Sequence, residues 1–138
     1  MTGDVSIALS FTWLGAVLAI SFLEAPLKFR APGVTRPIGL GIGRIVFRAM
    51  HGVQILLAAA LLLLGVLGDR DGGAWLLLTL AVVMLAAQVA LFELRMDRRA
   101  VRIVAGEELA PSPLHLVYIG LELAKVVALV GLGTALLG

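Results

Sequence analysis

Four apolar runs separated by short polar breaks organise the chain. Residues 5–23 (VSIALSFTWLGAVLAISFL), 39–67, 74–94 and 114–137 each carry long stretches of aliphatic side chains. A helix of about 20 apolar residues crosses the hydrocarbon core of a bilayer, and each run reaches about that length. Pro32, Gly33 and Pro37 mark the first connection, Gly68-Asp69-Arg70-Asp71-Gly72-Gly73 the second, and Pro111 with Pro113 the third. The pattern predicts an all-α membrane protein, a single four-helix bundle over residues 1–138. The second run is longer than a bilayer requires, so its first turns are expected to project beyond the hydrocarbon.

Composition agrees: 61% of the residues are hydrophobic and 14% charged. Mean hydropathy is +1.08, well away from soluble averages. A secretory signal is the competing reading of the first run. That run follows Asp4 rather than a basic segment and leads into Glu24-Ala25-Pro26 rather than a small-residue cleavage site, so it reads as a retained helix. There is no cysteine, which excludes disulfides, thiolate metal sites and thiol catalysis.

Charge sets the orientation. The side holding the first and third connections carries Lys28, Arg30, Arg36, Arg44, Arg48, Arg95, Arg98, Arg99 and Arg102, whereas the other side carries only Arg70, beside Asp4, Asp69 and Asp71. Basic loops stay in the cytoplasm. The chain is therefore expected in the bacterial inner (cytoplasmic) membrane with both termini outside. The basic pI has no nucleic-acid meaning here, because these residues sit in loops between apolar runs and form no basic, aromatic-rich face.

A faint internal repeat is present. Phe22-Leu23-Glu24 and Leu91-Phe92-Glu93 each precede a basic loop, and a slightly larger shift sets Phe47, His51 and Gln54 against Tyr118, Glu122 and Lys125. Two parallel helical hairpins would give this pattern, a known way of building transporters.

Polar groups inside apolar spans are the candidates for function. Arg44, Arg48, His51, Gln54 and Ala58 recur at spacings of four and three along one face of the second span. Glu122 and Lys125 are spaced to pair along the fourth, Glu24 and Lys28 along the end of the first, and Ala86, Ala90, Glu93 and Asp97 share a face of the third. This reading sets a substrate- or proton-binding cluster of His51, Gln54, Glu122, Lys125, Glu24 and Glu93 in the cytoplasmic half. An imidazole ordinarily titrates near neutral pH, so a histidine at position 51 suits a relay. The structural alternative stays open: Glu24 and Glu93 at headgroup level, and Glu122–Lys125 as an ion pair that fixes packing.

Other chemistry finds less support. No Glu-x-x-His pair of the di-iron bundles occurs, and His115 opens the fourth span while His51 lies further in, a poor match for haem. No metal or cofactor is implied. Gly39-x-Gly41-x-Gly43-Arg44 lacks the dinucleotide spacing. With Arg44 and Arg48 it could hold an anion, an anionic lipid headgroup above all. Gly120, Ala124, Ala128, Gly131 and Ala135 form a small stripe on the fourth span, suited to a close helix seam or a dimer face. Trp13 and Trp75 read as interfacial or packing anchors.

Ala25-Pro26-x-x-Phe29, then Ile38-Gly39-x-Gly41 and Val46-Phe47, resemble a widespread bacterial family of uncharacterised four-span membrane proteins. That family is similar to a small eukaryotic transmembrane protein linked to platinum-drug resistance. The resemblance implies four helices and no established activity.

Two function classes follow. One is a homodimeric transporter or channel-like protein for a small solute or ion. The other is an accessory or scaffold subunit of a larger membrane complex. An intramembrane enzyme has no nucleophile–base pair or metal motif in its favour. For the orientation, a cysteine introduced at Asp71 should react with an impermeant thiol reagent added outside, and one at Arg36 should not. The reverse labelling would overturn it.

Overall fold

The computed structural model describes residues 1–138 as four helices: α1 (Thr2–Arg30), α2 (Arg36–Leu67), α3 (Gly72–Val104) and α4 (Leu114–Leu137). Each is long and apolar enough to cross a membrane. The chain is an all-α bundle, a multi-pass membrane protein.

The helix ends follow local chemistry. Thr35 caps α2 by accepting from the Ile38 N–H, with Pro37 in the first turn, where its missing N–H costs nothing. Asp71 caps α3, its Oδ1 accepting from Gly73 N–H at 2.6 Å and Ala74 N–H at 3.1 Å. At the far end of α3 the Gly106 N–H bonds the Ile103 carbonyl and the Glu107 N–H bonds the Arg102 carbonyl. Gly106 there adopts φ +100°, which favours glycine.

Two helices run further than the apolar pattern foretells. α1 passes through Pro26 instead of ending there. It switches to π-type turns over Leu18–Glu24, so that Pro26 falls in the first turn of the next helical segment. α3 does the same over Phe92–Met96 and continues through charged sequence to Val104. That extension holds because Asp97, Ala100 and Ile103 form a buried edge along it. The two π segments contain Phe22-Leu23-Glu24 and Phe92-Glu93, the halves of the faint repeat.

Packing is a ring. α4 lies against α3 and α1, and α2 lies against the same two helices, so α1/α3 and α2/α4 are the diagonals. The buried positions step by three and four on every helix: Ser6, Ser10, Trp13 and Val17; Gln54, Ala58, Leu61 and Gly65; Ala74, Leu78, Ala81, Leu85 and Gln88; Tyr118, Glu122, Lys125, Leu129 and Leu132. Such a step keeps one narrow seam turned inward, as in bundles crossing at about 20°. Residues of opposite hairpins meet on the axis of the bundle. Phe47 stacks edge-on to Tyr118 at 5.7 Å, and Gln54 hydrogen-bonds Lys125.

Polarity is inverted relative to a soluble protein. Leu56, Val66 and Val127 are more than 70% exposed, while Gln54, Gln88, Glu122 and Lys125 are at most 1% exposed. Only a hydrocarbon surrounding makes that arrangement favourable.

The small stripe of α4 is divided between two faces. Ala128 is buried in the core, and Leu77 of α3 lies over Gly131, where an added Cβ would approach to 3.1 Å. Gly120, Ala124 and Ala135 face outward. Ala128→Leu is therefore expected to overpack the core and lower stability by about 1–3 kcal/mol, whereas Ala124→Leu should leave it unchanged. Thermal unfolding in detergent measures both. An unaffected Ala128→Leu would place that position against lipid.

Candidate functional site

A polar centre fills the bundle axis, with a contribution from every helix. Lys125 of α4 sits at its hub, fully buried. An ammonium has three N–H donors, and each finds an acceptor: Gln54 Oε1 at 2.6 Å, Gln88 Oε1 at 2.5 Å and Glu122 Oε2 at 2.7 Å. Glu122 is satisfied on both oxygens. Its Oε2 also accepts from Gln88 Nε2 at 2.6 Å, and its Oε1 accepts from the Ser21 hydroxyl of α1. Trp13 Nε1 donates to Gln54 Oε1 at 2.9 Å, which fixes the orientation of that amide.

His51 lies beside this hub. Its Nε2 is 2.8 Å from the Tyr118 hydroxyl, one turn before Glu122 on α4. Gln88 joins the two parts, since its Nε2 also reaches the Tyr118 carbonyl at 3.4 Å. The imidazole packs edge-on to Phe92, with ring centroids 5.2 Å apart. Two buried polar atoms of the centre have no partner: His51 Nδ1 and Gln54 Nε2. Such a group costs about 1–3 kcal/mol, which a polar solute or water meeting it would recover.

A separate layer of ion pairs lies toward the basic end. Arg44 of α2 grips Asp97 of α3 through two nitrogens, at 2.6 and 3.2 Å. Arg48 reaches Glu93 at 3.2 Å and Asp97 at 3.3 Å. Within α1, Lys28 pairs with Glu24 at 3.6 Å and lies over the rings of Phe29 and Phe47. At the opposite end Arg70 bonds the Ser6 hydroxyl at 3.2 Å and covers Trp75, and burial pulls its pKa below the ordinary arginine value.

The structure brings together His51, Gln54, Glu122 and Lys125. It sets Glu24 and Glu93 apart from them, each against its own base. Arg44 and Arg48, read from the sequence as anion or headgroup contacts, are turned onto carboxylates of α3. Four participants escape charge-based reading: Gln88, Ser21, Trp13 and Tyr118. Gln88 left a signal, being a lone amide in the apolar run 74–94 at the step set by Leu78, Ala81 and Leu85. Trp13 proves to be a packing anchor in the core, and its indole N–H is a donor to the centre as well.

Chemically, the centre holds one positive and one negative charge in a low-dielectric interior, with both charged groups fully hydrogen-bonded. It can store a proton on either partner or bind a small polar group through the two unpartnered atoms. The single variant Glu122→Leu leaves the ammonium without a counter-charge and should destabilise the fold by about 3–5 kcal/mol. The double variant Glu122→Leu with Lys125→Leu should stay near wild-type stability. Denaturation in detergent measures the pair, and equal losses for single and double variants would contradict the coupling.

No protein-family model, curated protein or solved structure matches the chain, so its chemistry is read from its own geometry.

Proposed function

We propose that this small integral membrane protein is a transporter or channel-like protein of the bacterial cytoplasmic membrane, carrying protons or a small polar solute through the centre formed by His51, Tyr118, Gln54, Gln88, Glu122 and Lys125. One observation carries the reading: a fully buried Glu122–Lys125 pair bound by side chains from all three other helices. Well-packed apolar residues stabilise a core as well as a buried ion pair does. Ionisable groups inside a membrane are costly and mark ion or proton paths. The pair thus has a better account in transport than in stability. His51 and Tyr118 extend the centre toward the basic end, where Phe47 and the Lys28 ammonium follow.

In this reading the basic end lies in the cytoplasm and both termini lie outside, as the charge asymmetry favours. Alternating access would come from rocking of one hairpin against the other around the polar centre. A second copy would pack on the outward face of α4, where Gly120 and Ala124 allow a close helix approach. That same face supports the second reading, an accessory subunit of a larger membrane complex.

Proton and solute flux in reconstituted vesicles tests the proposal. His51→Ala and the Glu122→Leu with Lys125→Leu double variant should remain folded and lose flux roughly tenfold or more, equivalent to a barrier higher by ~1.4 kcal/mol or more. A stable double variant with full flux would end the transport reading of the site. A wild-type protein without flux would favour the accessory subunit.

A further inference from the structure

Charge accounting at the basic end singles out a second site. Four of its five acids are already engaged: Glu24 by Lys28, Asp97 by Arg44 and Arg48, Glu93 by Arg48, and Glu107 by Arg102. Glu108 alone is in no ion pair. The bases left over are Arg30, Arg36, Arg95, Arg98 and Arg99. Three of these, Arg95, Arg98 and Arg99, line one open cleft of about 580 Å³ between the end of α3 and the start of α4.

The cleft is built for a particular chemistry. Arg99 is held in place, its Nη2 donating to the Ala110 carbonyl at 2.6 Å. Arg95 and Arg98 keep their guanidinium forks free, and such forks match phosphate oxygens in a two-point geometry. Ser112 adds a hydroxyl on the α4 side of the cleft. Its oxygen accepts from the Leu114 N–H at 3.3 Å, which sets the hydroxyl at the start of α4, and a helix start favours negative charge. Leu94, Pro113 and Leu114 complete the lining. Leu94 is 57% exposed and Val117, one turn on from Leu114, is 51% exposed, so the apolar outer surface of the bundle begins at the cleft's edge. Basic forks above and exposed leucines below are the two halves of a lipid: a charged head and an acyl chain.

We infer that the cleft lined by Arg95, Arg98 and Arg99 binds the phosphate of an anionic phospholipid, with the lipid chains lying along Leu94 and Val117. The site is independent of the transport reading, since it shares no residue with the polar centre. It also moves the headgroup contact away from Arg44 and Arg48, whose charges Asp97 and Glu93 already neutralise. A basic pocket between membrane helices on the basic side is the setting in which such headgroups are recognised.

The test uses the full chain in neutral detergent, titrated with phosphatidylglycerol, phosphatidylcholine or inorganic phosphate. Thermal unfolding and native mass spectrometry report binding. The wild type should retain phosphatidylglycerol in preference to phosphatidylcholine. Arg95→Gln with Arg98→Gln should keep its basal unfolding temperature and bind phosphatidylglycerol roughly thirtyfold more weakly. Arg30→Gln with Arg36→Gln removes the same charge elsewhere and should bind like the wild type. Equal weakening in both double variants would show a general surface attraction and overturn the site. Inorganic phosphate binding as well as the lipid would assign the cleft to a soluble phosphate instead, and unchanged lipid binding in Arg95→Gln with Arg98→Gln would remove it altogether.

Discussion

Placing the Lys125 ammonium on the axis of a membrane bundle constrains almost everything else. A charge at the centre of a membrane helix costs on the order of 3 kcal/mol on insertion scales even when it can adapt. Here it is fully buried and cannot reach a headgroup. Three acceptors from three helices are needed, and Gln54, Gln88 and Glu122 supply them. Glu122 in turn needs donors, and Ser21 brings in α1. A slip of one turn in any helix would withdraw a partner from this centre in a medium that offers no water in exchange. The hydrogen bonds therefore set the vertical register of four helices whose apolar surfaces alone specify register weakly.

The remaining architecture serves that register. The small residues Ala128 and Gly131 bring α4 close to its neighbours, so that side chains from diagonal helices can meet on the axis. The ion pairs of Arg44 and Arg48 with Asp97 and Glu93 tie α2 to α3 above the polar centre, and their partners depend on α3 continuing as a helix past Leu94. The π segments at Leu18–Glu24 and Phe92–Met96 adjust the phase of α1 and α3 before their basic ends. This is where local irregularity commonly accompanies function.

The span count was legible because bilayer thickness imposes a length on apolar runs, and the gathering of bases at one end because short connections force alternate ends together. The end of α1 was not legible. Pro26 reads as a stop, yet a π turn just before it relieves the proline of its missing donor. The charged stretch 95–104 likewise reads as a loop, while Asp97, Ala100 and Ile103 give it a buried edge only once α2 is alongside. Of the polar centre, His51, Gln54, Glu122 and Lys125 announced themselves as costly residues in apolar runs. Gln88 and Ser21 carry no charge and, unlike Gln54, continue no stripe of ionisable residues along their own helices.

By itself the sequence determined the four apolar helices, their alternation across a bilayer, the concentration of basic residues at one end and the presence of ionisable groups that hydrocarbon penalises. Those are one-dimensional quantities, set by composition and spacing along each run. Tertiary structure alone decided which polar groups share a centre. It left Glu24 and Glu93 outside and admitted Gln88, Ser21, Trp13 and Tyr118. It also neutralised Arg44 and Arg48 while leaving Arg95 and Arg98 free. The physical reason is that hydrogen bonds and ion pairs act over about 3 Å. Partners so close are chosen by the rotation and height of whole helices, which no single run of residues encodes.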